Sequence, residues 1–312
     1  MLVSTLDDAP RVVLLDEHGR VAWFASLGET RVAGGRARMR RDGKGVWFAA
    51  MNEQPATLTS LDWVGDVIEK DEVEGLNHDY SELTDGRLAW DSYDCRNHET
   101  LGRVCGNAIQ VGDPSGASLT AFDTWDEFDP TVDGEVTGDG DWTHANALFV
   151  DPDEKSAWFG LRNFDAILHV DLATGRVLDQ VGGPHATLTP ATPTAETHLQ
   201  HRFEVLDNGN LLIHDNGTEK SNSRVVELAL DHEAGKASVV QILQHDPPVY
   251  DYALGDVDRG ADGSTLVTWA TAGLIDDFAP DGTIRATISA DLGMAFGYNN
   301  RVTALPGMVP LP

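Results

Sequence analysis

Apolar residues along this chain come in short runs rich in β-branched and aromatic side chains, and no long stretch repeats them at the i, i+3, i+4, i+7 spacing of a helix face. The runs at 12–15, 46–48, 148–150, 211–213 and 265–269 read as strands. Turn pairs precede such runs: Asp42-Gly43, Asp85-Gly86, Asn208-Gly209, Asp262-Gly263 and Pro306-Gly307. These pairs supply the positive φ that tight hairpins need. The pattern predicts an all-β chain.

The turns also mark a repeat. Eight residues before the five glycines stand Gly35, His78, His201, Gly255 and Asn299. A further unit with a slightly longer turn opens at His144 and runs to Trp158. A second, outer turn recurs at 16–19, 171–175, 231–235 and 281–282. Units of four strands at a period of about 50 residues predict a six-bladed β-propeller. The last unit, from Tyr298, is too short for four strands, and the N-terminal run 11–24 has an outer-strand pattern. The N- and C-terminal strands are therefore expected to share the last blade, closing the ring and removing its sheet edges. No linker divides the chain, so a single propeller domain is expected over 1–312.

Charge narrows the partners. The 51 Asp and Glu against 22 Lys and Arg give a net charge of −29 over 312 residues. That excludes a general nucleic-acid binder and argues against an anionic membrane surface. The 41% hydrophobic content suffices for a folded core. No stretch is long and apolar enough to span a membrane, so no membrane insertion is expected. The polar N-terminus, with Asp7 and Asp8, is not a signal peptide. A leader trimmed from this chain fits best, giving a periplasmic or secreted location, with the cytoplasm as the alternative. Cys95 and Cys105 fall close together in what reads as a loop. Their closeness points to a local disulfide and an oxidising compartment; two free thiols are the alternative.

Function is sought in the repeat. In a propeller the innermost strands line a central channel, so equivalent repeat positions sit on a ring. Three successive units place His78, His144 and His201 at one such position, in a chain with only 11 histidines. Beyond structural histidines, two readings follow. One is a three-His site for a divalent transition metal, formed by His78, His144 and His201. The other is a metal-free anion site in which imidazoles act as nucleophile and as acid or base. Arg162 favours the second, because a guanidinium beside three imidazoles repels a cation and suits a sulfate or phosphate. Asn146, two residues after His144, is expected on the same strand face. Tyr80, Tyr298, Asn299 and Arg301 are expected to reach the channel, and Gln200 to point away from His201.

The order of these motifs resembles the bacterial arylsulfate sulfotransferases, six-bladed propeller enzymes that work without PAPS. The resemblance rests on 77–79 before 83–86, 141–146, Leu161-Arg162 ahead of 166–168, Gln200-His201 running to 208–212, Asp215-Asn216-Gly217 and Ser223-Arg224. It covers about half of the chain. It implies transfer of a sulfuryl group from an aryl sulfate to a phenol through a sulfohistidine, with no cofactor and a small aromatic molecule as partner. It further implies His201 as nucleophile, with His78, His144 and Arg162 binding the sulfuryl oxygens and serving proton transfer, and Asn146 close by. Members of that family are usually longer, with an N-terminal β-domain and a periplasmic leader that this sequence does not display. A metal-dependent lyase or hydrolase and a non-catalytic ligand-binding propeller stay open as alternatives.

Other features carry less. Arg36, Arg38 and Arg40 share a strand face and read as a solvated blade edge rather than a steering ladder. The acidic run 133–141 lacks the EF-hand spacing and reads as a surface loop. The segment 182–193 reads as an inter-blade loop before His198, which is left open as a site residue. His18, His169, His214, His232 and His245 are expected on outer strands or turns. The tryptophans suit inter-blade packing, although Trp142, beside His144, is a candidate to flank an aryl substrate.

Overall fold

The computed structural model describes residues 1–5, 11–26, 36–50, 55–114, 116–218, 221–290 and 296–302. Gly35 and the Pro306-Gly307 turn lie outside the described residues. The regular structure among the described residues is strand, apart from one helical turn, Thr124–Glu127, and two 3-10 turns, Arg162–Phe164 and Pro193–Ala195. Six antiparallel sheets are the blades of a β-propeller.

Blade 1 runs through Ala37–Met39, Gly45–Ala50, Ala56–Asp62 and Val67–Val73. Blade 2 takes Leu76–Glu82, Leu88–His98, Gly102–Gly112 and Ser118–Asp123. Blade 3 takes Ala145–Val150, Ser156–Leu161, Ala166–Asp171 and Val177–Val181. Blade 4 takes Arg202–Val205, Leu211–Asp215, Arg224–Asp231 and Lys236–Leu243, with the short parallel strand Thr189–Pro190 on its outer edge. Blade 5 takes Asp256–Arg259, Thr265–Trp269, Leu274–Phe278 and Ile284–Ser289. Blade 6 is built from both ends of the chain, in the order Phe296–Asn300, Leu2–Thr5, Arg11–Leu15, Val21–Ser26. The expected sharing of the last blade is therefore observed. The repeat turns behave as their residue types require: Gly86 (φ 89°) and Gly209 (φ 81°) close the first hairpins of blades 2 and 4 in a region costly for a side chain.

The blades group into two compact units, 75–252 with blades 2 to 4, and 1–74 with 253–312 carrying blades 1, 5 and 6. Within the 75–252 unit, one apolar cluster joins blades 2 and 3 through Ile109, Phe122, Leu148 and Phe159. A second joins blades 3 and 4 through Trp158, Ile167, Phe203 and Ile213. Full burial of such side chains stabilises the fold by about 1.5–3 kcal/mol each. Polar latches set the blade register. Asp79 of blade 2 accepts from the Leu148 amide at 2.9 Å and from Arg202 at 2.8 Å, so one carboxylate ties three blades. Asn107 accepts from Thr143 at 2.7 Å and from the Ala145 amide at 2.9 Å, and donates to Asp91 at 2.9 Å.

The cysteine segment is not a loop. Cys95 and Cys105 stand directly opposite each other in the long hairpin formed by Leu88–His98 and Gly102–Gly112, and form a disulfide. The polar residues Asp94, Arg96 and Asn97 resemble a loop in sequence because the hairpin's end is largely solvent-facing. Among the described residues, no helix is long and apolar enough to cross a membrane.

Candidate active site

The 75–252 unit gathers the three histidines. His78 lies on Leu76–Glu82, where the register against the next strand shifts between Leu76 and Tyr80. His144 immediately precedes the first strand of blade 3, with φ 47°, and its carbonyl accepts from the Arg162 amide at 3.0 Å. A left-handed, non-glycine backbone of this kind is uncommon and is held by its surroundings. His201 precedes the first strand of blade 4 and donates its amide to the His214 carbonyl at 3.2 Å. One ring nitrogen from each histidine lies within 4.8 Å of the other two. Ring centroids are 5.1 Å apart for His78 and His144, 6.2 Å for His78 and His201, and 6.4 Å for His144 and His201.

The three rings have different surroundings. His201 is buried, and its Nδ1 lies 3.1 Å from Asn216 Oδ1. Asn216 donates its Nδ2 to the Asp251 carbonyl at 2.7 Å, which turns its oxygen towards His201. An amide oxygen can only accept, so Nδ1 carries the proton and Nε2 keeps its lone pair. Burial, followed by His78, His144, Arg162 and His214, pushes the His201 pKa well below the usual 6.5. Burial and then His144 push His78 down to about 3, and its enclosed Nδ1 has no hydrogen-bond partner among the described residues. His144 differs because its Nδ1 is paired with the Asp141 carboxylate. The site thus holds two imidazoles disposed to stay neutral and one backed by an acid.

Arg162 opens the 3-10 turn after Ser156–Leu161 and donates to Asn163 Oδ1 at 3.0 Å. Its Nε is enclosed without a partner among the described residues. Burial lowers its pKa against the opposing pull of Asp141, Asp165 and Tyr250, and a guanidinium stays charged in proteins. Arg162 depresses the titration of both His78 and His201, so its charge lies in the field of these imidazoles. Asn146 is fully buried, donates to the Gln200 carbonyl at 2.9 Å and leaves its Oδ1 unpaired among the described residues. The strand alternation expected to align it with His144 does not run through His144, which lies outside the strand. Gln200 does turn from His201, donating to the carbonyls of Leu161 and Ala166 at 3.2 and 3.0 Å.

Other candidates are placed elsewhere. Trp142 is fully buried, packs on Trp125 and Phe164, and donates to the Asp133 carbonyl at 2.7 Å. Its ring belongs to the core shared by blades 2 and 3. Tyr80 is likewise fully buried within blade 2. Asn299 and Arg301 belong to the unit that carries blades 1, 5 and 6. Asn299 bonds Thr268 and Asp256 there, and Arg301 bonds Asp258. Tyr298 is buried in that unit, beneath Arg36. Arg36 is also buried and paired with Asp256, whereas Arg40 meets Asp42 and Glu69. His198 stands outside the three-imidazole cluster and bonds Asp165. Three residues around the imidazoles were given no role in the sequence reading: Asp141, counted with an acidic surface loop and otherwise visible only inside a motif; Asn216, visible only inside a motif; and His214, fully buried beside His201 rather than on an outer strand or turn.

Residues 1–291 match the family described as Arylsulfotransferase (ASST). No curated protein matches the sequence. Among solved structures, the chain is similar to the periplasmic gluconolactonase PpgL of Pseudomonas aeruginosa, with 16% identity over 98% of this chain and 99% of that one and a TM-score of 0.58. It is also similar to a chain of a nidogen/laminin complex, with 11% identity, 95% and 96% coverage and a TM-score of 0.57. TolB from Acinetobacter baumannii gives 15% identity, 96% and 66% coverage and a TM-score of 0.56. At these identities the likeness is one of fold.

Proposed function

Because this chain belongs to the arylsulfotransferase family, we propose that it carries a sulfuryl group from an aryl sulfate to a phenolic acceptor through a sulfohistidine at His201. The observation that carries this reading is the bond of His201 Nδ1 to Asn216 Oδ1, which leaves Nε2 without a hydrogen-bond partner among the described residues, in a cluster with two other imidazoles. The His201 Nε2 lone pair attacks sulfur, and the bond from sulfur to the aryl oxygen breaks. His144, as an imidazolium paired with Asp141, gives its Nε2 proton to the departing aryl oxide. An acceptor phenol then returns a proton to His144 while its oxygen attacks sulfur and the nitrogen–sulfur bond breaks. Charge spread over the three equatorial oxygens is met by Arg162 and His78, whose enclosed nitrogens lack protein partners among the described residues. No cofactor enters this cycle. Residence in the periplasm or outside the cell fits the bonded pair Cys95–Cys105.

The test is intact-protein mass after mixing with 4-nitrophenyl sulfate, with His201→Ala as control. Gain of one SO3 by the wild type alone, with nitrophenol release, is the expected result. Neither adduct nor release in the presence of phenol overturns the proposal. A second reading has its own support. Three ring nitrogens within 4.8 Å, one ring backed by a carboxylate, suit a divalent transition metal. Under it the protein is a metal-dependent lyase or hydrolase, and Arg162 is the feature that opposes it. A stoichiometric metal that survives purification and is required for turnover would favour it.

A further inference from the structure

We propose that Asp165 is a positioning residue, a clamp that holds the Arg162 turn and the His201 segment in register. The inference rests on the sulfuryl-transfer reading for its kinetic consequences, but its geometry stands apart from it. Asp165 closes the Arg162–Phe164 turn in the left-handed conformation, φ 51° and ψ 39°, and donates its amide to the Arg162 carbonyl at 3.2 Å. Aspartate adopts this conformation more readily than most residues. Both carboxylate oxygens then cross to the next blade. One accepts from the Leu199 amide at 2.7 Å, and the other meets His198 Nδ1 at 3.0 Å. Leu199 is itself left-handed, φ 54°, two residues before His201. A single side chain thus grips two adjacent residues of the segment that delivers the candidate nucleophile.

The surroundings make the grip stiff. Gly182 packs so closely behind the turn that a Cβ there would meet the Asp165 carbonyl oxygen at 2.4 Å. The His198 amide and carbonyl are tied to Asp215 and Gly217. Gln200 adds its bonds to the Leu161 and Ala166 carbonyls on either side of the same turn. Asp165 is the side chain in this set whose carboxylate bonds both His198 and Leu199. Catalysis that needs Arg162 and His201 aimed at one sulfuryl group is sensitive to their relative placement, since a misplacement of about 1 Å can cost about 100-fold.

The experiment compares Asp165→Ala, Asp165→Asn and Arg162→Ala with the double variant Asp165→Ala/Arg162→Ala. Asparagine tolerates the left-handed turn, can accept from Leu199 and can donate to His198, so it tests geometry without charge. For aryl sulfate turnover, Asp165→Ala should lose about 10- to 100-fold in kcat, and Asp165→Asn should recover most of it. In the Arg162→Ala background, loss of Asp165 should cost less than it does in the wild type, because only His201 is left to misplace. A full, additive loss, or an Asp165→Asn as impaired as Asp165→Ala, overturns the clamp. The second arm needs no activity: nitrogen-15 spectra of the Arg162 Nε and His201 Nδ1 groups should shift in Asp165→Ala and return in Asp165→Asn. Unchanged signals in Asp165→Ala overturn the clamp. An inactive wild type overturns the sulfuryl-transfer reading and leaves these spectra to decide the clamp. If Asp165→Ala does not fold, His198→Ala removes one of the two bonds and must shift the same signals in part, or the clamp is discarded.

Discussion

Asn216 holds His201 in one tautomer: its amide hydrogen is committed to the Asp251 carbonyl, so its oxygen accepts from His201 Nδ1. The bare Nε2 is a consequence of this chain of bonds rather than of any charged partner. Asn216→Leu keeps much of the volume and removes the acceptor. The proton can then move to Nε2 and block the proposed nucleophile. The expected outcome is a kcat lowered about 10- to 100-fold with little change in KM. Stopped-flow measurement of the nitrophenol burst would show a slower burst of unchanged amplitude. A burst rate equal to that of the wild type would remove Asn216 from this role.

In the proposed cycle the His144–Asp141 pair delivers the proton to the leaving phenol. Such help matters most when the leaving group is a poor one. Asp141→Asn should therefore lower kcat/KM for phenyl sulfate by about 100-fold, the lower end of what general acid catalysis contributes. The loss for 4-nitrophenyl sulfate should be far smaller, since that oxide departs unaided. A series of substituted phenyl sulfates checks this through its leaving-group slope, which should steepen in the variant. Equal losses across the series would argue that Asp141 merely supports the loop.

Asp79 and Arg202 form a buried ion pair at 2.8 Å that links blades 2 and 4. Breaking it from one side leaves a buried charge. Arg202→Met should destabilise the protein by about 3–5 kcal/mol, whereas Asp79→Leu/Arg202→Met should recover much of that loss. Urea unfolding of the three proteins measures both. The recovery will be incomplete, because Asp79 also accepts from the Leu148 amide, which the double variant leaves unpaired.

The clustering of His78, His144 and His201 was legible because they share a place in a repeat whose turns are marked by glycine. What lay outside the repeat was not. Asp141 and Asn216 sit in connections between strands, where neither period nor turn pairs give a register. Their polar side chains look like solvent-facing loop residues until the partner they bond is known. Trp142 misled through adjacency: its indole N–H required an acceptor, found it in the Asp133 carbonyl, and so the ring turned into the core. Strand alternation failed at His144 because a left-handed residue interrupts the period just before the strand. Arg36 looked solvated, yet it is buried against Asp256, a partner more than two hundred residues away in sequence.

Acid should act on activity and stability through the same imidazole. In the proposed cycle His201 must be neutral to attack, and burial holds its pKa in the folded protein well below 6.5. The acid limb of kcat/KM should therefore fall well below pH 6.5. In Asn216→Asp a carboxylate facing Nδ1 would favour the imidazolium and move that limb upward. For stability, the unfolded chain binds a proton at His201 near pH 6.5 while the folded chain resists it. The unfolded state thus holds more protons between the two pKa values, and stability falls as pH drops through this window. The slope approaches about 1.4 kcal/mol per pH unit for one such group. Asp91 acts in the opposite sense, because burial raises its pKa well above 3.8, so its contribution weakens as pH rises from there. Urea midpoints at about pH 7 and about pH 5, compared between Asp91→Asn and Asp91→Asn/His201→Asn, isolate the histidine. The single variant should lose more stability on acidification than the double. Equal losses would mean that His201 is not held neutral by the fold, and the nucleophile would have to be sought elsewhere on the ring.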